Sequence, residues 1–131
     1  MRTIGRITAA VQIASERDPE KRIRCDALVD TGASHVVLPT AWRDRLGELR
    51  ELATLDFETA IGTSIQGVVC GPALVEIEGF RPAFTEVAFV DMEPQDGEYE
   101  PLIGYVVLEQ CGIAVDMLGR RLVQVKHLDL K

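Results

Sequence analysis

Ala27-Leu28-Val29-Asp30-Thr31-Gly32-Ala33-Ser34 is the stretch on which the reading of this chain turns. Three apolar residues close a strand-like run and set the Asp30 carboxylate at the edge of a core. Gly32 lets the backbone turn tightly and leaves a neighbouring amide accessible. Thr31 and Ser34 add hydroxyls that can hold the carboxylate in place. Asp-Thr-Gly by itself reads as an ordinary turn, because Asp and Gly favour turns. What surrounds it decides otherwise.

Upstream, Thr3 to Ala14 alternates as a strand, Glu16-Arg17-Asp18-Pro19-Glu20 turns the chain, and Lys21 to Val29 runs back as its hairpin partner. Downstream, Val36-Val37-Leu38 reads as a short buried strand. Thr40 is expected to N-cap a helix over Ala41 to Leu46 that Gly47 ends, with Arg43, Asp44 and Arg45 on its solvated face and Trp42 anchored in the core. Leu52 to Ile61 and Ser64 to Ile77 form two long strands around Gly62-Thr63, and Ala83 to Val90 a further one. Asp91 to Glu100 is an acidic loop. Tyr105 to Gln110 suits a short helix closed by Cys111-Gly112. Ile113 to Asp116 and Arg121 to Lys126 make a last hairpin. No linker, repeat or low-complexity tract interrupts the 131 residues, so one mainly β domain over 1–131 is expected, a closed folded sheet or barrel with one or two short helices.

A second segment gives the loop its company: Pro101-Leu102-Ile103-Gly104-Tyr105, then Gly112-Ile113-Ala114-Val115-Asp116. Apolar-apolar-Gly, a helical Leu and an apolar strand can pack under the first loop. The two segments in this order resemble the retropepsin-like aspartic proteases, over roughly Arg24 to Val125, and look closest to their small single-domain bacterial members. Leu-Val-Asp-Thr-Gly-Ala-Ser resembles the active-site loop of that family and Leu102-Ile103-Gly104 its second signature. Thr59 to Ile65 falls where the family has its flap hairpin. The resemblance implies Asp30, Thr31 and Gly32 as the catalytic loop. It implies Ala33, Ser34, Ile61, Gly62, Thr63 and Ile103 as substrate-binding residues. It also implies an extended peptide or protein as substrate, with no covalent intermediate, no metal and no cofactor. Two positions depart from the retroviral pattern: Ser34 stands where an acidic residue is usual, and Tyr105 where an Arg is usual.

Peptide hydrolysis of this kind needs two carboxylates about one water molecule apart, sharing a proton. The chain has one Asp-Thr-Gly; Asp116, followed by Met117-Leu118, reads as a strand-end residue facing solvent or a nearby Arg. One chain therefore supplies one catalytic carboxylate, and an enzyme would be a symmetric homodimer with Asp30 meeting its copy on the twofold axis. In that dimer Thr31 would lock the two loops together. The alternative is a retropepsin-like dimer that binds or scaffolds a partner without cutting it, since a fold does not fix a function.

Composition narrows the remaining classes. Apolar residues make up 47% and charged residues 27%, as in a folded soluble protein. Fourteen basic against 21 acidic residues give a net charge of −7, which argues against nucleic acid as partner. No apolar run approaches the ~20 residues of a spanning helix, so no membrane role is expected. Cys25, Cys70 and Cys111 are too far apart in sequence for a metal knuckle and read as buried thiols in a reducing cytoplasm. The acidic loop lacks the glycine placement of a calcium loop. Ser34 and His35, as neighbours in a strand, would face opposite sides and form no catalytic pair.

Overall fold

The computed structural model describes residues 6–58 and 62–125. Among the described residues, nine strands and two short helices follow one another: β1 (Thr8–Ser15), β2 (Arg22–Val29), β3 (Val36–Pro39), a 3-10 helix (Thr40–Leu46), β4 (Glu51–Glu58), β5 (Ser64–Ile77), β6 (Ala83–Val90), β7 (Leu102–Ile103), α1 (Tyr105–Gln110), β8 (Ile113–Asp116) and β9 (Arg121–Gln124). The mainly β class expected from the pattern is the class observed. Strands β5, β6 and β8 and helix α1 have the expected bounds. The beginning of the expected first strand, and Ile61 and Lys126 at the ends of two others, lie outside the described residues.

The main sheet runs β1-β2-β7-β3-β6-β5-β4, and an extra pairing of β1 with β5 closes all of these strands but β4 into a six-stranded barrel. Closure satisfies the edges that an open sheet would leave unpaired. Its interior is apolar. Ile13, Leu38, Leu46, Val75, Ile77, Val87 and Ile103 are fully buried and Phe89 nearly so. Burying such a side chain stabilises the fold by about 1.5–3 kcal/mol. Trp42 packs against this core as expected, with its ring edge-on to Tyr99 at 5.8 Å.

β4 stands outside the closed ring and pairs only with β5, so β4 and β5 project as a hairpin. The expected α-helix after Pro39 is a 3-10 helix, and Thr40 does not cap it: Pro39 takes the N-cap position, with no side-chain cap hydrogen bond. Its C-terminus does stop at Gly47, whose φ of 69° suits a residue without Cβ. The three cysteines are free, with Cys70 and Cys111 buried and Cys25 partly so.

Candidate active site

The loop of residues 30–35 joins β2 to β3, and β7 lies between those two strands. β7 pairs in parallel with β2 (Leu28 with Leu102, Val29 with Ile103) and antiparallel with β3 (Val37 with Leu102). Two residues of strand thus pin both ends of the loop. The backbone completes the hold. Asp30 N–H donates to the Ile103 carbonyl (2.9 Å), Tyr105 N–H to Ala33 (2.9 Å) and Val106 N–H to Ser34 (3.2 Å). Gly104 is required at this junction: a Cβ there would meet Ala33 O, His35 O and Ser34 C, each at 2.6 Å. The second apolar-apolar-Gly segment is therefore the floor on which the first loop rests.

Within the loop, Ala33 N–H donates to the Asp30 carbonyl (3.0 Å), and Gly32 N–H donates to Asp30 Oδ1 (2.9 Å). The carboxylate is held by the backbone of its own turn while the residue stays half-buried, and Thr31 and Gly32 beside it are exposed. Asp30 opens onto a cleft of about 710 Å³ that runs from the loop to the β4–β5 hairpin. Gly32, Ala33 and Ser34 line it, as do Val37, Asp56, Phe57, Glu58, Ile65, Val90, Met92 and Leu102. Its apolar part coincides with a second, smaller core of Val37, Val69, Ala88 and Val90, against which Phe57, Ile65, Met92 and Leu102 pack.

Not every expected residue reaches this cleft. Ile103, expected to contact substrate, is instead fully buried in the main core. Alternation along β7 turns its neighbour Leu102 to the cleft and Ile103 inward. Gly62 and Thr63 sit exposed at the hairpin turn and do not line the cleft in a single chain. Ile61 lies outside the described residues. The hairpin residues that line the cleft are Ile65, within the segment expected to be the flap, and Asp56, Phe57 and Glu58, which the sequence did not single out. β4 is exposed on nearly every residue, so no burial period marked its cleft-facing positions.

Ser34 and His35 also differ from expectation. They lie in a bend before β3, not in the strand, so alternation does not separate them. Ser34 Oγ is 2.8 Å from His35 Nδ1, His35 Nε2 is 3.3 Å from Glu86, and the imidazole meets the Phe57 ring edge-on at 6.3 Å. The pair fastens the end of the loop to β6 and β4. Asp116 behaves as expected, accepting from Gly119 N–H (3.0 Å) and Arg121 Nε (3.2 Å), bonds that hold its carboxyl below the usual range.

Among the described residues no group of three His, Cys, Asp or Glu side chains is placed to hold a metal, and no helix is long and apolar enough to cross a membrane.

A family model described as aspartyl protease matches residues 16–107, a span that contains Asp30-Thr31-Gly32 and Leu102-Ile103-Gly104. The chain belongs to the aspartyl protease family. Among solved structures it is similar to EIAV protease in complex with the inhibitor HBY-793, with a TM-score of 0.58 and 24% identity over 90% of this chain and 92% of that one. At that identity the likeness is one of fold, and the fold is retropepsin-like. No curated protein matches the chain.

Proposed function

We propose that this protein is an aspartic endopeptidase that works as a symmetric homodimer, its site completed when the Asp30 carboxylates of two copies meet. The observation that carries this reading is the held carboxylate: Asp30, fixed by the Gly32 amide at 2.9 Å, faces a cleft large enough for peptide side chains. A turn with a merely structural role has no need to present a carboxylate at the mouth of a cleft. One such group per chain makes the second copy a chemical requirement, and exposed Thr31 would cross to the partner loop.

The proposed cycle begins with an extended peptide between catalytic loops and hairpins, pairing as an added strand. Two carboxyl groups so close carry one proton between them. The ionised Asp30 takes a proton from a water as its oxygen bonds to the peptide carbonyl carbon, while the protonated Asp30 gives its proton to the carbonyl oxygen. The Asp30 that took the water's proton then gives it to the amine nitrogen as the carbon–nitrogen bond breaks. The other Asp30 takes back a proton from one hydroxyl of the adduct, so that the carboxyl product forms and the pair again shares one proton. Gly32, Ala33 and Ser34 contact substrate beside the reacting bond, and Gly62 and Thr63 at the hairpin turns close over it. The domain is proposed to span 1–131, with neither metal nor cofactor and no nucleic acid or membrane partner.

The test is hydrolysis of a mixed peptide pool by the wild type and by Asp30→Asn. Cleavage that the substitution abolishes supports the reading. A folded wild type that cuts nothing, yet binds peptides equally with and without the carboxylate, supports a binding module instead.

A further inference from the structure

Ser34 stands between two cavities. It lines the cleft that Asp30 faces, where it is the one hydroxyl among the described residues. It also lines a second cavity of about 430 Å³, which His35 and Glu86 share with apolar residues such as Leu52, Phe84 and Val106. No other described residue borders both. The Ser34 hydroxyl is engaged: its Oγ is 2.8 Å from His35 Nδ1, and His35 Nε2 is 3.3 Å from Glu86 Oε1. An ionised carboxylate only accepts, so Glu86 draws the single N–H of a neutral imidazole to Nε2. Nδ1 is then a lone pair that takes the Ser34 O–H, and the hydroxyl has only lone pairs left for a ligand. A second proton on the imidazole reverses these roles. Nδ1–H now donates to Ser34 Oγ, and the freed O–H can donate in its turn.

Glu86, on β6, is the one charged group beside His35 among the described residues of the second cavity. β4 presents Phe57, which meets the imidazole edge-on, while Asp56 and Glu58 carry their carboxylates on the opposite face of that strand. α1 presents Val106 and Val107. Asp30, on the cleft side, is the other ionisable group of the loop. We propose that His35 is a positioning residue of the peptide cleft, turning the Ser34 hydroxyl from acceptor to donor towards a bound peptide when the imidazole gains its proton. The inference rests on the peptidase reading for the peptide itself, whereas the exchange of roles needs only Ser34, His35 and Glu86. A hydroxyl backed by an imidazolium is the stronger donor to a peptide carbonyl, so binding tightens in mild acid.

The experiment uses the Asp30→Asn protein, so that binding is read without turnover and without titration of the Asp30 pair. A capped fluorescent peptide with no ionisable side chain is titrated by anisotropy at about pH 5.5 and about pH 8, on either side of the usual histidine range. One hydrogen bond gained should make binding about three- to tenfold tighter at the lower pH. Adding Ser34→Ala or His35→Gln is expected to level the two affinities. Nitrogen-15 shifts of the imidazoles read the same device with Ser34 and His35 intact, His127→Gln serving to assign the two histidines. At about pH 8 they should place the proton of His35 on Nε2. A proton on Nδ1 there, peptide binding that is absent or equal at both pH values, or a pH effect that survives either added substitution overturns the proposal. Hydrolysis by the wild type separates the two readings. Cutting combined with pH-indifferent binding sinks the His35 assignment alone, while pH-dependent binding that Ser34→Ala levels, without any cutting, sinks the peptidase reading alone.

Discussion

Gly104→Ala is the substitution that most directly probes how the loop of residues 30–35 is held. The new Cβ would lie 2.6 Å from Ala33 O, His35 O and Ser34 C, whereas ordinary contact begins at 3.4 Å. The loop backbone would have to move by about 0.8 Å, because backbone atoms cannot rotate aside as a side-chain tip can. Such a shift strains the Tyr105 to Ala33 and Val106 to Ser34 hydrogen bonds, now 2.9 and 3.2 Å. Overpacking costs about 1–3 kcal/mol, and two weakened hydrogen bonds add about 0.5–1.5 kcal/mol each. The sum, about 2–6 kcal/mol, is a large part of the roughly 5–15 kcal/mol that holds a domain together. For a chain of 131 residues this corresponds to a fall in melting temperature of about 10–20 °C. Circular dichroism melts of Gly104→Ala and Gly62→Ala, run side by side, give the assay. At Gly62 a Cβ meets nothing within 4 Å and only its φ of 83° resists the change, a strain of about 1–2 kcal/mol. If Gly104→Ala melts within about 2 °C of wild type, or no lower than Gly62→Ala, β7 does not clamp the loop as described here.

Three further outcomes follow from the packing and the titrating groups. Leu38→Ala, at a fully buried position, should cost about 2–5 kcal/mol in urea unfolding; a loss under about 1 kcal/mol would show a loosely packed barrel. Burial pushes the Cys25 thiol up to about 11. A thiol reagent at neutral pH should therefore label it about a hundredfold more slowly in the native protein than in urea, and equal rates would contradict its burial. Asp116 is held below its ordinary 3.8 by the Gly119 amide and then by Arg121. A depressed folded value means that its stabilisation is present above 3.8 and is lost as pH falls through the folded value. Wild type should thus melt above Asp116→Asn at about pH 6, with the gap closing in acid; a gap that persists there would assign the effect to something other than ionisation.

Much of this architecture was legible because its signals are local. Alternation and turn residues gave β5, β6 and β8, and Cys111-Gly112 marked the end of α1, where Gly112 has a φ of 68°. Asp30-Thr31-Gly32 and Leu102-Ile103-Gly104 were recognisable as a pair before their contact was visible. The features that escaped depend on distant partners. Two residues of β7 have no period, and only their pairing with β2 and β3 makes them a strand. The same alternation that sends Ile103 into the core and Leu102 to the cleft cannot be phased until those neighbours are known. Phe57 is the one part-buried residue of a β4 that is otherwise exposed, and its place against the cleft wall depends on β5 and the second core, not on a period within its own strand. The Ser34–His35 contact exists because β3 begins one residue later than His35.

If each of two chains gives one Asp30 to a single site, a heterodimer with one altered chain must lose that site. Wild-type and Asp30→Asn chains, each with its own affinity tag, are produced together and purified through both tags, and peptide hydrolysis per pair is compared with that of the wild-type dimer. Pairs are expected to form and their activity to fall by about 10²–10⁴-fold, to the level of the Asp30→Asn dimer, because one remaining carboxylate cannot act as both base and acid. Mixed pairs that keep about half of the wild-type activity would mean that each chain works alone, and failure to recover any pair would mean that no dimer builds the site.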